Sequence, residues 1–386
     1  MQKIQHYDIA IIGLGITGLS TAHHLGTNND LRICMSSDEE AEAPSTSTLS
    51  ANMITGGLID NFTRIAQRHG PEKAQAAWAY SHHAYDAVLA FAKSHKIETK
   101  EGARIRLIET EDELTECKKA VDQLNAAGFK SRMETPPASS KVLLGQQIDE
   151  AKAAFIDHQK LLDVLKESTR RHAHIGKTLT VTRESQYFKV ASEHEMIHAE
   201  VVIYANHLGV RKSIPGLAEA LVSSQDQWQR MKSKNGKLPF PVGSLLTWRH
   251  GHYWAHIEAE DQICMGGARF IRPLAGFEAE QAELSDKIAK HLPEAWAKYF
   301  PDLPLSAAFE SKAGLDIRPC DEIPVIGPMF GETGVFLAAG YMGQGLSLGF
   351  KAGQSLAKIV LGKSDELPRF FWPERLRSLA AVSTEE

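Results

Sequence analysis

Residues 8–12 (Asp-Ile-Ala-Ile-Ile) form a short β-branched run that predicts a buried parallel strand. Ile16, Leu19, Ala22 and Leu25 then fall about one helical turn apart, which predicts a helix from Ile16 to Leu25. Leu31 to Met35 is the next strand. Strand, glycine turn, helix and strand together make a βαβ unit at the start of the chain. Further on, Pro71 opens a long helix to about Lys96, with Trp78, Tyr85, Val88, Leu89 and Ala92 on one face. Thr110-Glu111-Asp112-Glu113 is a capping box for a helix ending near Gly128. Residues 135–140, with Pro136 and Pro137, read as a loop.

Asp157 caps a helix through Leu161, Leu162 and Leu165. Thr178 to Val190 and Met196 to Ala205 have strand patterns. Thr247 to Arg269 reads as a β-hairpin with an acidic turn near Glu260 and Asp261. Residues 276–293 return to helix, Val335 to Ala338 is a strand, and Gly345 to Leu361 is a helix after a glycine-rich turn. No internal repeat is visible.

Composition narrows the functional classes. The chain has 386 residues, 43% of them hydrophobic, enough for two domains or one large one with insertions. Lys plus Arg total 43 against 48 acidic residues, and the net charge of -5 gives no reason to expect a nucleic-acid or anionic-membrane partner. Cys34, Cys117, Cys264 and Cys320 are far apart, so neither a structural zinc nor a disulfide framework is expected, and no metal is assigned. The first residues lack a secretory pattern, and no apolar run reaches the ~18 residues of a membrane span. The expectation is a cytoplasmic enzyme. No Gly-x-Ser-x-Gly elbow or Walker-type loop appears, which argues against hydrolase and kinase readings.

The candidate chemistry starts at Gly13-Leu14-Gly15-Ile16-Thr17-Gly18. A tight strand-to-helix turn lets backbone N–H groups reach a dinucleotide pyrophosphate, and the helix N-terminus adds positive potential. Gly13 permits the turn, Gly15 lets phosphate approach and Gly18 lets the helix pack on the sheet. An acidic residue should end the second strand and bind a ribose hydroxyl. Ser36 stands there instead. Asp38, Glu39 and Glu40 follow and either substitute for it or form a solvated loop. No Arg or Lys follows the strand to pair with a 2′-phosphate, so NADP is not favoured.

Far downstream, residues 313–328 (Ala-Gly-Leu-Asp-Ile-Arg-Pro-Cys-Asp-Glu-Ile-Pro-Val-Ile-Gly-Pro) lead to Gly340-Tyr341-Met342-Gly343-Gln344-Gly345-Leu346. With the N-terminal fingerprint, this resembles the FAD-dependent amine and amino-acid oxidase family, which includes glycine oxidase, sarcosine oxidase, D-amino acid oxidase and gamma-glutamylputrescine oxidase. The resemblance spans nearly the whole chain. It implies FAD as cofactor, with Asp321, Pro324 and Gly327 matching the family's Asp-x-x-Pro-x-x-Gly and with Gly343, Gln344, Gly345 and Leu346 in the turn near the flavin. Ile16 and Thr17 join the pyrophosphate turn. Ser50, Asn52 and Gly56 fall where relatives have a small-residue loop that contacts the flavin, or they belong to a flexible polar loop.

Asp316 stands where amino-acid-oxidising relatives place the arginine that holds a substrate carboxylate. It either attracts a substrate ammonium group or pairs with Arg318 or Lys312. Arg318, two residues on, shares its face if the segment is a strand. Tyr341 is a further pocket candidate. Asn206 stands near a glycine of the relatives. His250, His252, Trp254 and His256 share parity and line either a substrate face or an ordinary strand.

The resemblance implies an α/β plus α+β chain, with a Rossmann-like FAD-binding domain interrupted by an antiparallel-sheet substrate domain. The boundaries expected are 1–69, 146–212 and 313–365 for FAD, 70–145 and 213–312 for substrate, and 366–386 as a tail. It implies oxidation of a CH–NH bond of a small amine or amino acid by hydride transfer to flavin N5. Oxygen or another acceptor then takes the electrons. No catalytic acid or base is assigned. A flavin-dependent tRNA wobble-base enzyme and a catalytically decayed flavoprotein subunit remain as alternatives.

Overall fold

The computed structural model describes residues 4–27, 30–37, 46–273, 276–279 and 281–377. The expected contributions of Asp38, Glu39 and Glu40 therefore lie outside the described residues. The chain forms two compact units, one of Met1–Thr48, Gln159–Ser223 and Asp316–Glu386, the other of Leu49–His158 and Ser224–Leu315.

The first unit opens with β1 (Gln5–Ile12), α1 (Ile16–Leu25) and β2 (Ile33–Ser37). The second unit contributes β3 (Met53–Thr55), α2 (Phe62–His69), α3 (Pro71–Ser94), β4 (Thr99–Ile108), α4 (Glu111–Ala126), β5 (Ser131–Glu134) and β6 (Gly145–Ile156). The chain continues through α5 (His158–Thr169), β7 (Ala173–Arg183), β8 (Phe188–Ser192), β9 (Met196–Tyr204) and the short α6 (Gly209–Ser213). Then come β10 (Leu221–Lys232), β11 (Leu245–Trp248), β12 (Tyr253–Ala259), β13 (Gln262–Gly267) and α7 (Asp286–Tyr299). Last are β14 (Glu310–Pro319), β15 (Val325–Pro328), β16 (Val335–Ala339) and α8 (Gly345–Val360).

In the first unit, β2, β1, β9 and β16 pair in parallel, β7 joins β2, and β15 closes the edge antiparallel to β16. The expected single strand from Thr178 to Val190 is two strands, because the chain turns at residues 184–187 and β8 pairs back on both β7 and β9. Ile12 is level with Ser36 on one side and Tyr204 on the other, so three strands end together beside Gly13. Ligands of doubly wound sheets bind at such carboxyl edges.

α1 and α8 are held much closer than ordinary side chains allow. A side chain at Gly349 would begin 2.8 Å from Thr17 Oγ1. One at Gly353 would begin 2.7 Å from Thr17 O and Thr21 N, which are backbone atoms. Gly345, Gly349 and Gly353 recur every four residues and so share one helix face. Ser20 Oγ donates to Phe350 O at 2.7 Å, and the Thr17 and Tyr341 hydroxyls meet at 2.9 Å.

The second unit is built on a sheet ordered β14-β10-β13-β12-β11-β4-β6-β3, with β5 on β6. Its pairings are antiparallel where registers are defined, except for parallel β11 and β4. Alternate residues Tyr253, Ala255 and Ile257 of β12 join Ile288, Leu292 and Trp296 of α7 in one core. The hairpin turns at Glu260 and Asp261, as the pattern predicts. His250 sits in the turn before β12 at φ +55°, so only Trp254 and His256 of the parity series lie on that strand.

The compact units divide the chain differently from the expected boundaries, with residues 213–223 in the first unit and 313–315 in the second. Residues 49–69 and 146–158 belong to the second unit, because β3 pairs with β6 and β6 with β4. Residues 366–377 are not a loose tail: Phe371 and Leu376 are buried, and Arg375 grips Asp321 from Nε at 2.6 Å. The helix expected at 276–293 starts instead at Asp286, behind an N-cap at Ser285, and runs through Pro293 so that Trp296 and Tyr299 reach the core. Cys34, Cys117 and Cys264 are buried thiols and Cys320 is exposed.

Two predictions follow from this packing. Gly353→Val places atoms against α1 backbone that cannot yield, and is expected to cost about 1–3 kcal/mol in a denaturant titration. Stability equal to that of the parent would show that the helices separate freely. Burial also pushes the His82 and His256 imidazoles down to about 3. An unfolded histidine takes its proton near pH ~6.5, so between there and about 3 the unfolded chain binds protons the folded chain refuses. Stability should therefore fall as pH drops through that window, with a limiting slope of ~1.4 kcal/mol per pH unit for each histidine. Urea midpoints at several acid pH values test this, and an unchanged slope in His256→Phe would remove His256 as a source.

Candidate functional site

The glycine turn is shaped by what surrounds it. Gly13 has φ +113°, and a side chain there would begin 2.4 Å from Ala205 O at the end of β9. One at Gly18 would begin 1.9 Å from Gly13 O. Both positions exclude any other residue. Gly15 is different: among the described residues, a side chain there would meet only Ser47 Oγ, at 3.2 Å. Gly15 therefore presents bare backbone to open space at the start of α1, which suits an approaching phosphate. Ser47 Oγ accepts the Ile16 N–H at 3.0 Å and so caps the first turn.

The second glycine turn has the same character. A side chain at Gly343, with φ +83°, would meet nothing within 4 Å. Gln344 is buried, and its N–H donates to Tyr341 O at 3.0 Å. Gly345 and Leu346 open α8, whose N-terminus carries positive potential. The Thr17–Tyr341 contact ties this helix start to that of α1. Burial pushes the Tyr341 phenol well above its ordinary value, so it stays a neutral hydroxyl. That hydroxyl meets Thr17, so Tyr341 links the two helix starts.

The other expected residues distribute as follows. Ser36 is buried at the end of β2, and its hydroxyl bonds to Thr178 Oγ1 of β7. Asp316 and Arg318 do share a face of β14, with 3.8 Å between Asp316 Oδ2 and Arg318 Nη2. Asp316 Oδ1 lies 3.8 Å from His207 Nε2. Asp316 Oδ2 is buried and, among the described residues, has no hydrogen-bond partner. The strand carrying this pair ends at Pro319, whose Cγ would be 2.4 Å from a side chain on Gly340, just before the second turn.

Ser50, Asn52 and Gly56 belong to the second unit. Asn52 is left-handed at φ +58°, and its side chain bonds to His158 Nδ1. Gly56 faces α3, with His82 Cδ2 2.9 Å from where a side chain would begin, so it is not open to a ligand. Asp321 accepts from the Ile323 N–H at 3.2 Å and from Arg375, which gives it a structural part in the turn before β15.

Several site residues went unread in the sequence. Gly349 and Gly353 were visible as a four-residue glycine spacing. Ser47 and His207 were not, because their roles depend on contacts across the fold. Beside Asn206, it is His207 that has the positive φ, +49°. Among the described residues, no helix is long and apolar enough to cross a membrane, and no group of three or more His, Cys, Asp or Glu is placed to hold a metal ion.

Comparison with known proteins agrees with this geometry. Glycine oxidase from Geobacillus kaustophilus has the same fold at a TM-score of 0.75 and 14% identity, over 95% of this chain and 98% of that one. L-proline dehydrogenase from P. horikoshii matches at a TM-score of 0.75 and 15% identity, over 97% and 99%. L-amino acid deaminase from Proteus vulgaris matches at 0.75 and 13%, over 96% and 98%. No curated protein matches the chain in sequence. The family model for FAD dependent oxidoreductase covers residues 8–359, both glycine turns included, and the chain belongs to that family of FAD-dependent enzymes.

Proposed function

We propose that this enzyme oxidises the CH–NH bond of a small amine or amino acid, with Asp316 recognising the substrate's ammonium group. The observation that carries the reading is the half-buried Asp316, whose Oδ2 is itself buried and has no hydrogen-bond partner among the described residues. A buried acceptor without a donor is costly, and a cationic ligand relieves that cost. Arg318, on the same strand face, would meet a substrate carboxylate if one is present. The fold relatives named for glycine, L-proline and L-amino acids support the substrate class.

The cofactor reading rests on the two turns. Gly13 to Gly18 would hold the FAD pyrophosphate, and the backbone of Gly343 to Leu346 would lie near the flavin. Bound FAD supplies the two-electron acceptor; the chain supplies binding, orientation and field. The N-terminus of α8 favours negative charge developing near it. The ammonium held by Asp316 would first release a proton, to that carboxylate or to water, and the free amine so formed is the species oxidised. Oxygen or a second acceptor would complete the cycle.

An absorbance spectrum followed by anaerobic mixing with amines, polyamines and amino acids tests this. Bleaching of the flavin by a CH–NH substrate is the expected result. A flavin that no such compound bleaches would sink the proposed reaction. Asp316→Asn is expected to raise KM for the substrate by about ten-fold or more, the worth of one charge-assisted contact, with a smaller change in kcat. An unchanged KM would remove Asp316 from the substrate site. Ser36→Ala should alter FAD affinity by less than about two-fold, since its hydroxyl is already committed to Thr178. A larger loss on titration with FAD would show that Ser36 binds the ribose after all.

A further inference from the structure

His207 holds a left-handed backbone, φ +49°, immediately after the carboxyl end of β9. Glycine would adopt that conformation freely, whereas an imidazole is kept there against a conformational cost. Such outliers gather at ligand sites. The residue before it, Asn206, lies with its Cα 2.8 Å from where a Gly13 side chain would begin. His207 therefore leaves the sheet beside the glycine turn.

Its ring is held loosely at that place. Nδ1 is 3.4 Å from Thr46 Oγ1, and Nε2 is 3.8 Å from Asp316 Oδ1. Thr46 adjoins Ser47, the residue that caps Ile16 and stands 3.2 Å from the open face of Gly15. The ring thus sits between the loop that rims the turn and the Asp316–Arg318 pair. Meanwhile one donor of the turn is engaged within the protein, since the Ile16 N–H is given to Ser47. A pyrophosphate with two negative charges gains from a side-chain donor beside the remaining backbone of the turn.

We propose that His207 is a cofactor-phosphate ligand, its imidazole donating to a pyrophosphate oxygen of FAD; this rests on the assignment of the Gly13–Gly18 turn to the pyrophosphate. Asp316 Oδ1 lies 3.8 Å from the Nε2 edge of the ring. The ring replaces Thr46 with a phosphate oxygen when the cofactor enters.

The test is titration of the FAD-free full-length protein with FAD, followed by quenching of flavin fluorescence, together with phosphorus NMR of the bound cofactor. His207→Gly suits the local backbone and is expected to fold at least as stably as the parent. Its FAD dissociation constant should rise about ten-fold or more, and one phosphorus resonance of bound FAD should move. His207→Gln, which keeps a donor, should recover part of the affinity. Affinity and resonances in His207→Gly equal to the parent's would overturn the proposal and leave the enzyme's reaction untouched. A parent chain that takes up no FAD would instead overturn the reading of the whole turn, and this ligand with it.

Discussion

Everything proposed for the first unit depends on how closely α8 lies against α1. Two helices in ordinary contact keep their axes about 8–10 Å apart because side chains intervene. Here Gly349 and Gly353 remove the side chains from one helix, and the small residues Thr17, Ser20 and Thr21 face them from the other. The Tyr341 hydroxyl then bridges to Thr17. The result is two helix N-termini side by side, each preceded by a glycine turn that presents backbone. One such terminus attracts a phosphate; two adjacent ones offer a combined field to a longer anion such as a dinucleotide. The parallel sheet only brings α1 to this place. The glycine face of α8 is what makes the pair.

Much of this was legible in the chain because it is local. A short β-branched run, a turn requiring positive φ and a 3.6-residue apolar period each act within a few residues, so β1, α1, α8 and the capping box at Thr110 could be placed from pattern alone. The long strands β4, β6, β10 and β14 were harder. Each crosses between faces or carries charged residues such as Arg104 and Arg230 on one side, which blurs the two-residue alternation. The helix expected to end at residue 293 runs on to Tyr299, because burial of Trp296 and Tyr299 outweighs the bond that Pro293 cannot make.

The site was legible where it is glycine and opaque where it is polar. Gly13, Gly15 and Gly18 declare their purpose by lacking a side chain. Ser36, Asp316 and His207 do not, since a hydroxyl, carboxylate or imidazole takes its role from whatever lies across from it. Ser36 meets Thr178 of β7, and His207 meets Thr46 and Asp316 from distant segments. Ser36 and Asp316 are also positions where the chain departs from the pattern of the family it resembles. A fold leaves such polar positions free to vary, so function is read from the site rather than from the scaffold.

The Thr17–Tyr341 contact joins residues 324 apart. Closing so long a loop costs little more than closing one half its length, because the entropy grows only with the logarithm. Time is the larger constraint. A ribosome adding ~5–20 residues per second delivers the second partner roughly 15–65 s after the first. Through that interval α1 has its glycine turn but not the helix that completes it. The two glycine turns can therefore come together only after α8 has been made, long after α1 has folded onto its strand.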